Sequence, residues 1–230
     1  MKNKTAIPTI LKSIKEKAVV KKEIYKKTQT TFAELKLVLR ELEKELKDKV
    51  KAIDPEIHVE FKDKGRFEAE FKIADDTLVF WMHTDIFTFD TDHSIWKTSY
   101  VDEDKTRTFC GMVTIYNFLS DSFKYKRVND LGYMIARLFV NKDMHYFVEG
   151  KRQLGFLYNE FDTAELDRAN LRAVLESAIL YCLEFDLYSP PYDDMKQVSV
   201  SEIMEAEDSH KISTGKRLGF RFQADDDNIE

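Results

Sequence analysis

One short segment concentrates side chains that could bind a metal ion or move a proton. It contains His83-Thr84-Asp85, followed by Asp90, Asp92 and His93. In a strand, His83 and Asp85 point to one face, together with Trp81 and Phe87. An imidazole beside a carboxylate on an aromatic floor is an arrangement that a general base or a cation site uses. We therefore treat His83 and Asp85 as candidate catalytic residues, and Trp81 and Phe87 as candidate ligand contacts.

The same residue types also have an ordinary structural explanation. Asp90 and Asp92 are common hairpin-turn residues, and a histidine on an aromatic strand is usually a partly buried packing residue. Cys110 and Cys182 lie inside apolar segments without a cysteine or histidine nearby. We expect both to be buried and reduced, which disfavours a disulfide or a zinc site. The sequence therefore predicts no resident metal ion and no cofactor.

A cation also stands within an apolar stretch. Arg137 lies between Ile135 and Phe139 on one face of a predicted strand. A buried guanidinium requires a carboxylate or an anionic ligand. Glu149 is nearly opposite in the next predicted strand, but strict alternation along the strands places it on the other face. We therefore interpret Arg137 as an edge or ion-pair residue, with ligand contact as the alternative.

Two patterns raise nucleic acid as a substrate or partner. Glu60-Phe61-Lys62 and Glu70-Phe71-Lys72 match the acid-x-lysine half of a metal-dependent nuclease motif, although such triplets on consecutive strands also form cross-strand pairs. Aromatic residues alternate with Lys124, Lys126 and Arg127, as in surfaces that stack bases and bind phosphates. A solvated loop explains that segment equally, and an acidic body opposes phosphate binding. Both nucleic-acid functions are therefore disfavoured.

The scarcity of glycine disfavours several enzyme classes. Only seven glycines are present, and none forms a dinucleotide-binding fingerprint. Gly150 and Gly155 have the separation of a phosphate-binding loop, but Phe156 stands where that loop needs its lysine. No serine lies between two glycines at the spacing of a nucleophile elbow. The sequence therefore leans toward a protein that is not an enzyme.

The elements that would position these residues begin with a basic arm, residues 1–54. The first thirty residues carry nine lysines and two glutamates, whereas the other two hundred carry 27 cationic and 40 acidic side chains, a net charge of −13. Such asymmetry bears on association, because a basic helix is attracted to an acidic surface. The arm is too often interrupted by lysine to favour membrane insertion.

Apolar spacing predicts a helical hairpin in this arm. Leu11, Ile14 and Ala18 indicate a first helix, and the polar run Thr28-Gln29-Thr30 indicates a break. A capping-box spacing then starts a second helix, which Asp54-Pro55 ends. The heptad-like seam of the second helix contains Phe32, Leu35, Leu39, Leu42, Leu46 and Ile53. We predict either that this seam packs on the chain's own sheet or that Leu35, Leu39, Leu42 and Leu46 form a homo-oligomer interface.

Beyond Glu56 the pattern changes to the alternation of a mostly antiparallel, aromatic-rich sheet. The predicted strands are Ile57–Lys62, Phe67–Ile73, Leu78–Phe89, Ile95–Val101, Phe109–Phe118, Leu131–Val140 and His145–Glu149. A helix over Thr163–Asp186 should cover the sheet, followed by a short helix near Ser201–Glu207 and a strand near Arg217–Phe222. We assign residues 55–224 to one α+β domain and residues 225–230 to an acidic tail.

These observations favour an interaction protein. No apolar stretch resembles a membrane span or an export signal, so the expected location is the cytoplasm. We predict a non-enzymatic assembly protein that forms a homodimer or higher oligomer through its N-terminal helices and binds a protein partner of unknown identity. The alternative is a ligand-binding or metal-dependent hydrolytic domain with its site around His83 and Asp85.

Overall fold

A computed structural model describes residues 6–151, 153–186, 189, 191–197 and 199–201. The chain begins with a long helix, continues through a six-stranded antiparallel sheet and returns to a helix that packs on the same face of the sheet. The strands follow the order β1-β2-β3-β4-β5-β6, so each strand pairs with its neighbours in sequence. The predicted α+β class is therefore confirmed.

The elements have the following bounds. The α-helices are α1 (Ile7–Ser13), α2 (Val19–Ile53), α3 (Ser99–Glu103), α4 (Ser120–Lys124), α5 (Gln153–Leu157), α6 (Arg168–Leu183) and α7 (Tyr192–Met195). The strands are β1 (Val59–Asp63), β2 (Glu68–Ile73), β3 (Asp76–Met82), β4 (Cys110–Leu119), β5 (Tyr133–Asn141) and β6 (Tyr146–Gly150). A π-helical turn, Ile14–Ala18, joins α1 to α2, and two 3₁₀ turns, Ser94–Lys97 and Lys105–Thr108, flank α3.

From Ile7 to Ile53 the basic arm is one continuous helix, and the predicted hairpin is wrong. Backbone angles stay right-handed helical through α1, the π turn and α2. The polar run that suggested a break lies inside α2, where the Thr28 hydroxyl donates to the Ile24 carbonyl at 2.9 Å. Because the helix backbone satisfies this buried hydroxyl, no turn is needed. The predicted end is confirmed, since Asp54 has extended backbone angles.

Six of the seven predicted strands correspond to observed strands, with shifted ends. The exception is Ile95–Val101, which forms a 3₁₀ turn and α3 instead. His93 Nδ1 accepts from the Ile95 amide at 3.3 Å, and the Thr98 hydroxyl accepts from the Val101 amide at 3.4 Å. These caps satisfy amides at the start of each turn and favour helical geometry there. The alternation of apolar residues, on which the strand prediction was based, does not reveal them. The strand predicted to reach Phe89 ends at Met82.

The core lies between one face of the sheet and the helices α2 and α6. The second half of the predicted arm belongs to this core, because Leu35 and Leu39 are fully buried among residues of the sheet. The approach is close at β4, where a Cβ atom built on Gly111 would overlap the Thr28 hydroxyl. Helix α6 is tied to α2 by a bidentate ion pair between Arg172 and Glu45, with N–O distances of 2.7 and 2.8 Å.

The predicted covering helix is confirmed with a later start, because the Asp167 side chain accepts from the Asn170 amide at 2.7 Å and caps α6. From residue 202 onward, the predicted short helix, the strand and the acidic tail lie outside the described residues. In the part of the chain that the structure describes, no helix is both long and apolar enough to cross a bilayer.

The packing of α2 predicts a contrast between two leucines on the same helix. Leu39 is fully buried, whereas 45% of Leu37 is exposed. We expect Leu39→Ala to lower the free energy of unfolding by about 2–5 kcal/mol, because it leaves a cavity under the sheet. We expect Leu37→Ala to change it by less than about 0.5 kcal/mol. Urea denaturation of both variants measures the difference, and equal losses would contradict this placement of α2.

Candidate functional site

The predicted chemical cluster lies on the second face of the sheet, opposite α2. One row of cross-strand neighbours crosses four strands there, from Trp81 on β3 through Thr114 and Arg137 to Glu149 on β6. His83 follows directly after β3, and its Nε2 atom lies 3.1 Å from the Thr114 hydroxyl. The structure therefore does bring His83, Trp81 and Arg137 together.

Arg137 and Glu149 are direct partners, which corrects the alternation argument. The register of β5 and β6 places the two residues opposite each other on the same face. Their side chains form an ion pair, and His93 Nε2 approaches the other carboxylate oxygen of Glu149 at 3.6 Å. Alternation alone predicted opposite faces because the hairpin register was not known to within one residue, and a shift by one residue exchanges the faces. Arg137 is therefore an ion-pair residue.

His83 is held partly buried at the edge of an aromatic cluster. Its ring meets Phe87 edge-to-face, with centroids 5.6 Å apart. Burial lowers the pKa of His83 below its usual value of 6.5; the nearby Asp85 carboxylate acts in the opposite direction, and the Arg137 cation lowers the pKa further. Asp85 itself is exposed in the loop after β3. At neutral pH the imidazole is therefore uncharged.

This arrangement supplies few of the parts that catalysis needs. Thr114, the hydroxyl that contacts His83, is buried and cannot reach a substrate. Among the described residues, no group of three or more His, Cys, Asp or Glu side chains is placed to hold a metal ion. Burial raises the pKa of the Cys110 thiol, which disfavours the reactive thiolate. The cluster can contribute hydrogen bonds and an aromatic surface, chiefly through Trp81, of which 48% is exposed.

The candidate nucleic-acid residues do not form one cationic surface. Lys124 and Lys126 are exposed, but the Arg127 side chain is only 6% exposed and lies 3.7 Å from the Asp130 carboxylate. Its guanidinium also lies over the Tyr125 ring, 5.4 Å from the centroid. Arg127 is therefore engaged within its own loop. The acid-x-lysine triplets of β1 and β2 face each other as Glu–Lys cross-strand neighbours, as their structural interpretation predicts.

The leucines predicted to form an oligomer interface are used within the chain. Leu35, Leu39 and Leu42 are buried against the sheet, and Leu46 is partly buried at the edge of the same cluster. The heptad-like seam was predicted either to pack on the chain's own sheet or to form an oligomer interface, and the structure shows packing on the sheet. Leu35, Leu39 and Leu42 therefore have almost no surface to offer a second copy.

A different apolar seam is exposed further upstream. Every residue from Ala6 to Val19 is exposed, so α1 and the π turn project beyond the body of the protein. The exposed aliphatic side chains on this projecting helix are Ile7, Ile10, Leu11, Ile14 and Val19. The three-four spacing of Leu11 and Ile14 was visible in the sequence. The downstream leucines have a similar spacing, so the sequence alone could not show that they are buried whereas Leu11 and Ile14 are exposed. We call this set the N-terminal seam.

The π turn shapes the N-terminal seam. The Val19 amide donates to the Ile14 carbonyl, a five-residue step that places Val19 one turn above Ile14. Ile24, the first buried residue of α2, follows Val19 by five residues, which is about 140° around the helix. The N-terminal seam therefore does not continue the side of α2 that packs on the sheet.

Comparisons with known proteins do not identify a class. No protein-family model matches the chain, and neither the curated proteins nor the solved structures contain a match. The function of this chain must therefore be inferred from its own geometry.

The pKa of His83 provides a test of the cluster's geometry. We expect Asp85→Asn to lower this pKa, because it removes a nearby negative charge, and Arg137→Gln to raise it, because it removes a positive one. Since the folded pKa lies below 6.5, this histidine leaves stability unaffected above pH 6.5 and reduces it as the pH falls further. NMR titration of the imidazole measures the shifts. Asp90→Asn is the control, and shifts in the opposite directions would contradict the geometry.

Proposed function

We propose that this chain is a non-enzymatic assembly protein that self-associates through its projecting N-terminal helix. The observation that carries the proposal is the N-terminal seam. Its five branched aliphatic side chains are each 48–60% exposed, and they lie on a helical segment in which every residue from Ala6 to Val19 is exposed. Exposed apolar groups in a contiguous stripe mark an interaction site more often than isolated ones do.

The length and the attachment of this helix support the proposal. An isolated helix of about thirteen residues is marginal in water because nucleation is unfavourable. Here α2, which spans 35 residues and is packed on the sheet, already supplies the helical nucleus. The projecting segment can therefore present a preformed apolar face without the cost of ordering a flexible peptide.

A second copy of the chain is the partner that best fits this face. Two antiparallel projecting helices would pack their seams together, as in a short coiled coil. Lys12 lies about 200° around the helix from Ile14, so it would face solvent in such a pair. Glu16 is on the side of Lys12, since the two side chains form an ion pair at 3.8 Å. The seam can therefore be buried while these charges remain hydrated.

The alternative function, a ligand site around His83 and Asp85, ranks second. Its polar groups are already engaged, since His83 contacts Thr114 and Arg137 contacts Glu149. The observation that favours this alternative is the exposed indole of Trp81, which a ligand could contact. The two functions are separable, because seam substitutions disturb assembly but leave the second face of the sheet intact.

The proposal predicts that two polar substitutions in the seam disrupt assembly. We expect Ile10→Gln with Ile14→Gln to raise the dissociation constant of the contact between two N-terminal seams by roughly a hundredfold or more, because two isoleucines of each copy leave that contact. The control Lys12→Gln with Glu16→Gln, on the other side of the same helix, should leave the constant within about threefold. Light scattering behind a sizing column and sedimentation equilibrium measure the masses.

Salt separates this interface from an electrostatic one. Apolar pairing of the seams should persist from about 0.05 to 0.5 M NaCl, whereas attraction between the basic helix and an acidic body would weaken over that range. A monomeric full-length chain, or equal assembly of the seam and control variants, would contradict the proposal.

A further inference from the structure

The two edges of the sheet differ in how they end. The β6 edge is covered by the following loop, because the Tyr146 amide donates to the Ala164 carbonyl at 3.1 Å and the Val148 amide donates to the Tyr158 carbonyl at 2.8 Å. The β1 edge pairs only with β2 on its inner side. In the described part of the chain, no backbone group hydrogen-bonds to the outer side of β1. The sheet therefore has one open edge.

The backbone groups at this open edge belong to the odd-numbered residues of β1. The Ala74 amide donates to the His58 carbonyl, and the Lys64 amide donates to the Glu68 carbonyl, both at 3.2 Å. In an antiparallel ladder the bonded residues alternate, so even-numbered residues of β1 direct their amides and carbonyls to β2. The amides and carbonyls of Val59, Phe61 and Asp63 therefore point outward, in a row that another strand can bind.

The side chains of β1 divide between the two faces of the sheet. Val59 and Phe61 turn toward the core under α2. Glu60 and Lys62 stand on the opposite face, where their side chains are 47% and 51% exposed and 3.0 Å apart. The exposed face of the strand therefore carries one acid and one base, symmetrically placed around Phe61.

We propose that β1 pairs with β1 of a second copy in an antiparallel, two-fold symmetric arrangement centred on Phe61. This pairing would join two six-stranded sheets into one continuous sheet. Reciprocal backbone hydrogen bonds form between the two Phe61 residues and between Val59 and Asp63 of opposite copies. Glu60 then lies directly opposite Lys62 of the second copy, and the same contact occurs twice because the interface is isologous.

The charges select this register over its neighbours. Because odd-numbered residues must meet odd-numbered residues, the strands can slip only by two positions. One slip places Glu60 opposite Glu60, and the other places Lys62 opposite Lys62, and directly opposed like charges are destabilising. Lysine commonly protects an open edge from pairing. In the proposed register, however, Lys62 gains a further carboxylate partner, Glu60 of the second copy, besides Glu60 of its own strand, so the strand is complementary to itself.

This interface is independent of the N-terminal seam, so it is tested in a chain that already carries Ile10→Gln and Ile14→Gln. We expect that chain to remain a dimer at about 0.05 M NaCl, where surface charge pairs are least screened. Adding Glu60→Lys should place two lysines of one copy against two of the other. Adding Lys62→Glu instead should place two glutamates of one copy against two glutamates of the other. Each single variant should dimerise at least about tenfold more weakly.

An equimolar mixture of the two single variants provides the decisive control. In the mixed dimer every lysine at positions 60 and 62 faces a glutamate, so the dissociation constant should return to within about threefold of the starting value. The mixture contains the same two chains, so any loss of folding in a variant cannot produce this recovery. Sedimentation equilibrium measures all four samples. A monomeric starting chain, unchanged single variants, or a mixture no tighter than its components would overturn the proposal.

Discussion

The packing of one side of α2 on the sheet is the interaction on which the rest of the structure depends. Ile24 and Thr28 are buried, Thr28 against Gly111 of β4, and Leu35, Leu39 and Leu42 are buried further along the helix, against the sheet. Gly111 is required at the closest approach, because a larger residue would overlap Thr28. Residues 24–42 are held in this way, and the helix is continuous from Ile7 to Ile53. Its upstream end therefore projects, and the large apolar residues there are exposed.

Aromatic packing on the second face of the sheet explains why the histidines there are already in contact with neighbouring side chains. The loop after β3 folds across it and packs Phe89 against Phe139 and Phe147, with ring centroids 5.1 and 5.4 Å away. Two histidines pack in this cluster through their rings. The ring centroids of His93 and Phe89 are 4.7 Å apart, and His145 stacks on Tyr100 with ring centroids 4.6 Å apart. A region that resembled a proton-transfer site in the sequence is therefore largely a second, smaller core.

Much of the architecture could be read from the sequence, because periodicity reports burial directly. The alternation of β2, β4 and β5, the helix covering the sheet and the stop at Asp54 followed from local patterns. The break predicted at Thr28–Thr30 was wrong, because a threonine that hydrogen-bonds to a carbonyl of its own helix cannot be distinguished by sequence from a threonine at the end of a helix. The Arg137–Glu149 pair was missed because it depends on the hairpin register. Which of two apolar seams on one helix would be covered depends on tertiary packing, which periodicity cannot supply.

We propose that the N-terminal segment contributes to assembly and not to the fold of its own chain. The most direct test of this role compares the full-length protein with a chain that begins at Val19, by sedimentation equilibrium and by urea denaturation monitored on the sheet. We expect the shortened chain to unfold at the same urea concentration but to have a lower mass in solution. Equal masses would show that the segment does not contribute to assembly, and a clear loss of stability on shortening would show that it packs on its own body. Either result would rule out the proposed role of the N-terminal seam.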